Sequence, residues 1–278
     1  MLAYITWDVS PEIFQLGPLT LKWYGLLFAS GFLIGLYIVR RMFAAEKVPE
    51  AWLDTCFVYM VVATIIGARL GHVLFYDWDY YSQNLSEIPM VWKGGLASHG
   101  GAMAIIFALW LFSKRVSKKS VLWILDKVVV PTALAGCFIR LGNLMNSEII
   151  GLPTEVSWAF IFTSVDDVPR HPVQIYEAFT YLLSFGILYY TYWKTDKVMK
   201  PGYIFGFFLV LIWGFRFIME YVKESQGGFE TLVNEVLTTG QLLSIPFFII
   251  GLYFMFRPSS PSKDIKELPS LSLAKSKA

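Results

Sequence analysis

Arg140, Asn143 and Asn146 recur every third residue, and Glu148 follows directly. On a helix the first three share one broad face. Further along, Arg216 and Glu220 stand four apart and can touch on a helix. Two arginines on separate segments present fork-shaped donors that clamp a phosphate. They also stabilise the charge such a group gains when a bond to it breaks. Neither has an obvious stoichiometric acid partner, which fits an anionic ligand held between them. His99 follows the pair Gly94–Gly95. An imidazole, with an ordinary pKa of about 6.5, is the side chain suited to taking a proton near neutral pH. Tyr24, Arg69, His72, His171, Gln174 and Glu177 complete the polar set.

The elements that carry these residues are apolar. Hydrophobic residues make up 56% of the 278, aromatics 17% and charged residues only 16%, against about 25% charged in ordinary soluble domains. A net charge of +2 gives no basis for a nucleic-acid partner. A bilayer core needs about 20 mostly apolar residues per helix. Seven windows qualify, near 22–40, 52–76, 96–112, 121–146, 172–193, 202–222 and 239–256. The expected fold is an all-α integral membrane protein of about seven transmembrane helices with small outer cap segments. Residues 1–257 are expected to form one polytopic catalytic domain, with outer segments at about 77–95 and 147–171. The Pro-, Ser- and Lys-rich stretch 258–278 reads as a disordered cytoplasmic tail.

Orientation follows from lysine and arginine, which favour the cytoplasmic side. Arg40, Arg41, Lys47, Lys114, Arg115, Lys118, Lys119, Lys194, Lys197, Lys200 and the basic tail lie after odd-numbered windows. The opposite side carries only Lys22, Lys93, Arg170 and Lys223. The N-terminus is therefore expected outside and the C-terminus inside. On that topology the polar set gathers in the outer leaflet. An ionised side chain within a membrane helix costs about 2.5–3.5 kcal/mol, so this clustering calls for a function acting on a lipid. Residues 1–21, broken by Pro11 and Pro18, read as an amphipathic lead-in on the membrane surface. Cys56 and Cys137 sit in apolar runs and read as core fillers.

Blander readings exist for each residue taken singly. Arg216 and Glu220 would neutralise one another, and Arg69 and Arg140 would snorkel to headgroups. Gly67 with Gly71, and Gly31 with Gly35, give spacings that let helices approach closely. Asp54 and Asp126 fall near inner ends and read as solvated or paired there. A transporter using the arginines as an anion site is the alternative function, but it would favour charge near the midplane and internal repeats. An intramembrane protease lacks a paired-aspartate or serine–histidine arrangement.

Five ordered stretches carry a resemblance: GARLGHVLFY (67–76), GGLASHGG (94–101), RLGNLMNSEIIG (140–151), RHPVQIYEA (170–178) and RFIMEY (216–221). Together with WYG at 23–25 and GQLLSIP at 240–246, they resemble the prolipoprotein diacylglyceryl transferase family over nearly the whole chain. The resemblance implies transfer of diacylglyceryl from phosphatidylglycerol to the lipobox cysteine of a prolipoprotein signal peptide. A thioether forms and glycerol phosphate leaves. It implies membrane lipid as surroundings and substrate, no metal or diffusible cofactor, and a bacterial cytoplasmic (inner) membrane with the active site toward the outer leaflet. The family's catalytic positions fall on His99, Arg140, Arg216 and Tyr24. Its substrate-binding positions fall on Arg140, Asn143, Asn146, Glu148, Gly151, Arg216 and Glu220, with Arg69 added from its place in the cluster. Two stretches depart from the pattern. LIWGFR has Ile212 and Trp213 where members often carry a tyrosine one turn before the second arginine, and ASHGG has Ser98 where a bulky residue often precedes the histidine.

Overall fold

The computed structural model describes residues 4–17, 19–224 and 237–259. Among these residues each apolar window is a helix: α1 Trp23–Ala45, α2 Ala51–Phe75, α3 Ser98–Phe112, α4 Val121–Met145, α5 Val173–Lys194, α6 Tyr203–Met219 and α7 Thr239–Phe256. Six are long and apolar enough to cross a membrane. The exception is α5, whose buried side chains include Gln174, Glu177, Thr180, Ser184 and Thr191. Its polar content faces protein. Large apolar side chains such as Leu33, Phe75, Phe107 and Phe179 are exposed. That surface suits lipid tails rather than water. The chain is thus an all-α multi-pass membrane protein in its main mass. Tail residues from Ser260 onward lie outside the described residues.

Helical structure is supplemented by two small sheets. Strand β1 (Ile5–Trp7) pairs in parallel with β4 (Phe160–Phe162), and β4 pairs antiparallel with β5 (Pro169–Arg170). Strands β2 (Glu12–Leu16) and β3 (Leu19–Lys22) form a hairpin. The segment before α1 is therefore paired strand, not a simple surface lead-in. Proline blocks helix continuation, and Gly17 at φ 60° allows the hairpin to turn.

The chain divides into two compact units. The first comprises residues 1–38 and 126–278. In it, Leu144, Ile150, Phe160 and Phe162 form a buried cluster against Trp7 and Ile175. Trp7 Nε1 donates to the Leu144 carbonyl at 3.1 Å, which fastens β1 to the end of α4. Asp126 is not solvated but paired, with backbone amides. It is buried and accepts from the Gly202 and Phe205 amides at 2.6 and 2.8 Å, capping the first turn of α6. Helix α7 starts with a capping box. Thr238 Oγ1 accepts from the Gln241 amide, and Gln241 Oε1 accepts from the Thr238 amide.

The second unit spans 39–125. Met42, Phe43, Leu53, Leu109, Phe112, Trp123 and Ile124 fill its core. Helices α2 and α3 touch through glycine: a methyl on Gly100 would lie 2.3 Å from the Gly67 carbonyl and 2.7 Å from Gly71 Cα. Small residues thus admit close backbone approach, as the Gly67–Gly71 spacing predicts.

Candidate active site

The first unit gathers the polar residues of α4, α5 and α6 into one chain of charges. Near the end of α4, Arg140 Nε approaches a Glu177 carboxylate oxygen on α5 to 3.0 Å. The contact is ionic rather than an aligned hydrogen bond, since that oxygen has no donor pointed at it among the described residues. The other Glu177 oxygen accepts from Lys223 Nζ at 3.4 Å. Lys223 Nζ also lies 3.7 Å from Glu220, and Glu220 lies 4.0 Å from Arg216. Glu177, Glu220 and Lys223 are all buried. The order is Arg140, Glu177, Lys223, Glu220, Arg216: three cations separated by two carboxylates. Burial makes this alternation necessary, because an unpaired charge out of water is costly.

A second branch leaves Arg140. Its Nη1 donates to Asn143 Oδ1 at 3.3 Å, and Asn143 Nδ2 donates to Glu148 Oε1 at 2.6 Å. Asn146 Nδ2 donates to the same oxygen at 3.3 Å. Gln174 Nε2 donates to the Glu148 carbonyl at 2.8 Å, tying the turn after α4 to the start of α5. The Arg140 guanidinium also lies 5.9 Å from the centre of the Tyr181 ring. Tyr24 packs on Gly142, where an added methyl would come within 2.7 Å of the ring. That contact sets the first-helix tyrosine beside the RLGN stretch.

Backbone pairing completes the frame. Gly151 and Lys223 form an antiparallel bridge, with Leu152 N–H on the Val222 carbonyl at 2.9 Å and Glu224 N–H on the Ile150 carbonyl at 3.2 Å. A methyl on Gly151 would lie 2.4 Å from the His171 carbonyl and 2.9 Å from that of Val222. Thr238 Oγ1, the cap of α7, donates to Glu220 at 3.1 Å. Arg170 donates to Asp166 and Glu224 and to the Gly151 carbonyl. Through Asp166, Arg170 holds that carboxyl below its ordinary range.

Four buried polar atoms in this neighbourhood have no hydrogen-bond partner among the described residues: Asn146 Oδ1, Gln174 Oε1, Arg216 Nε and Glu177 Oε2, the last of which has only its ionic contact with Arg140. Such atoms are uncommon and mark places where a further polar group fits. Glu177, Tyr181, Ile212 and Arg216 line one small cavity. An apolar groove of about 500 Å³ runs between α6 and α7 beside Arg216, lined by Trp213, Phe217, Ile245 and Phe248 among others. Arg216 thus borders the small cavity, and its neighbours Trp213 and Phe217 line the apolar groove.

Residues 11–257 match the family model described as prolipoprotein diacylglyceryl transferase. The chain belongs to this family. Among similar proteins, one from Chloroherpeton thalassium is 48% identical over 92% of this chain and 94% of its own length. One from Porphyromonas gingivalis is 47% identical over 92% and 95%, and one from Tolumonas auensis is 44% identical over 90% and 95%. All three bear the name phosphatidylglycerol–prolipoprotein diacylglyceryl transferase. As a member of the prolipoprotein diacylglyceryl transferase family, the chain is a transferase.

Of the residues singled out in the sequence of this family member, Tyr24, Arg140, Asn143, Asn146, Glu148, Gly151, Arg216 and Glu220 belong to the first unit. His99 and Arg69 belong to the second. There, exposed His99 opens α3 with ring contacts to Phe75 and Tyr76 at 5.7 and 5.6 Å. Arg69 is buried and does not snorkel. It donates to the carbonyls of Glu87, Ile88, Gly94 and Gly95, clasping the 77–95 segment onto α2. Sequence reasoning missed the pairing of Glu177 with Arg140 and the place of Lys223 between carboxylates. Glu177 was visible only as part of a polar helix start, and Lys223 only as one of few basic residues on its side. Arg140, which had no evident acid partner in sequence, has one in space, while Arg216 meets the Glu220 that helix spacing already offered.

Proposed function

We propose that this chain transfers the diacylglyceryl group of phosphatidylglycerol to the lipobox cysteine of a prolipoprotein, releasing glycerol phosphate. The thiolate sulfur attacks the glyceryl carbon bonded to phosphate oxygen. The sulfur–carbon bond forms as the carbon–oxygen bond breaks, and the phosphate leaves with the electron pair. The observation that carries this reading is the pair of arginines at the two ends of one charge chain, with Arg216 Nε unpartnered among the described residues and Trp213, against its guanidinium, lining an apolar groove. Negative charge grows on the leaving phosphate, and two preorganised guanidinium groups in a poorly hydrated site stabilise it. The acyl chains occupy the groove between α6 and α7. Asn143 and Asn146 face the head-group oxygens, with Glu148 holding both amides in place.

A thiol must lose its proton to attack, its ordinary pKa being about 8.5. His99 is the proposed acceptor of that proton. Its exposure at the start of α3 supports the role. All seven long helices span the bacterial cytoplasmic membrane, with the N-terminus outside and the site in the outer leaflet. The distribution of lysine and arginine along the sequence supports this orientation.

The test is to incubate the purified protein with phosphatidylglycerol and a lipobox peptide, then weigh the peptide. A cysteine-dependent gain of one diacylglyceryl mass with release of glycerol phosphate is expected. Arg140→Ala and Arg216→Ala should each lower turnover by about a hundred- to a thousand-fold. No adduct from folded, lipid-binding protein would rule out the transfer. His99→Gln with an unchanged rate and pH profile would remove His99 as the base.

A further inference from the structure

We infer that Lys223 is a positioning residue that sets the separation of Arg140 and Arg216 by bridging the carboxylates that hold them. The inference rests on the phosphate-clamp reading given above. Each arginine has its own acid, Glu177 for Arg140 and Glu220 for Arg216. The first pair joins α4 to α5, and the second lies along the end of α6. Neither pair constrains the other. Lys223 Nζ joins them, 3.4 Å from Glu177 and 3.7 Å from Glu220. Its side chain is only 4% exposed, so no water shell competes for the ammonium.

Both ends of Lys223 are held. The ammonium sits between the two carboxylates, and the backbone is bridged to Gly151 with bonds on either side from Leu152 and Glu224. A lysine pinned at both ends transmits position rather than merely cancelling charge. The charged groups that face it are Glu177 on α5, Arg140 on α4, and Glu220 and Arg216 on or just after α6. Burial, opposed by the two carboxylates and reinforced by the two arginines, pulls its ammonium below the ordinary lysine range. The bridge is intact when the lysine is charged. It opens as pH rises through a value lower than that of a free lysine.

The experiment uses the full chain in detergent with phosphatidylglycerol and a lipobox peptide, comparing Lys223→Met and Lys223→Arg with the wild type. Misplacement by about 1 Å costs on the order of a hundred-fold in rate, so Lys223→Met should lose about that in kcat while KM for phosphatidylglycerol moves less than about three-fold. Lys223→Arg should recover to within about ten-fold of wild type. Its alkaline limb should move to higher pH, because a guanidinium stays charged there. Arg140→Ala and Arg216→Ala are assayed alongside. Wild-type kcat and an unmoved alkaline limb in the Lys223 variants, with both arginine variants inactive, would overturn the role of Lys223 and leave the clamp intact. Near-normal rates in the arginine variants would overturn the clamp and the inference with it. If Lys223→Met does not accumulate, Lys223→Arg decides: a displaced alkaline limb supports the bridge, and an unmoved one overturns it.

Discussion

Glu177 Oε2 lies 3.0 Å from Arg140 Nε, while its second oxygen lies 3.4 Å from Lys223 Nζ. One carboxylate on α5 thus serves two cations, one from α4 and one from the bridged segment that follows α6. Its side chain is 4% exposed, so both contacts are made out of water. Breaking a buried pair by removing one partner costs about 3–5 kcal/mol, because the other charge is left behind. Glu177→Gln, nearly isosteric and uncharged, is expected to lower the thermal inactivation midpoint in detergent and to reduce turnover about a hundred-fold. A melt monitored by tryptophan fluorescence together with peptide lipidation checks both.

Gly151 has no room for a side chain. A methyl there meets the His171 and Val222 carbonyls at 2.4 and 2.9 Å, and backbone cannot yield as a side-chain end does. Gly151→Ala should push the Lys223 strand away from the 150–152 segment. The expected outcome is a folded protein with at least ten-fold lower turnover. Hydrogen exchange should also be faster at the Leu152 and Glu224 amides, which mass spectrometry of labelled protein reads directly.

Gly214 faces the groove between α6 and α7, and a methyl on it would sit 3.3 Å from the Phe248 ring. Gly214→Leu fills part of the space proposed for the acyl chains. KM for phosphatidylglycerol should rise about ten-fold with a smaller change in kcat, and the effect should be weaker for short-chain lipid. Steady-state kinetics with two chain lengths is the check.

Asp166 and Arg170 pair at 2.6 Å within the segment that carries β4 and β5. Arg170 depresses the Asp166 carboxyl, so the stabilisation is present above the ordinary aspartate pKa of about 3.9. It is lost as pH falls through the lower folded-state value. Protection of the 160–170 amides should therefore weaken below about pH 4. Asp166→Asn should be less protected at neutral pH and lack that acid-dependent step. Hydrogen exchange across the acid range separates the two proteins.

The membrane class, the helix windows and the residues of the RLGN and RFIMEY stretches were legible because they depend on local pattern. Twenty apolar residues in a row need no partner to be recognised, and Arg216 meets Glu220 through helix spacing alone. Pairings between helices carry no such spacing. Arg140 reaches Glu177, and Asp126 caps a helix that begins at Tyr203, only because the fold closes those separations. Arg69 illustrates the same limit. Its type and place in the sequence suited an anion or a headgroup, yet its N–H groups go to carbonyls of a loop. The short strands were hidden as well, since pairing β1 with β4 depends on residues more than a hundred positions apart.

By itself, then, the sequence determined that this is a multi-pass membrane protein with a particular set of polar residues, and its ordered motifs determined the family. Hydrophobic length and helical periodicity are properties of neighbouring residues, so they survive without a structure. The tertiary structure alone decided which acid holds which arginine and that Lys223 stands between the two acids. Coulomb energy and desolvation depend on separation and burial in space, and neither quantity is written in the order of the residues.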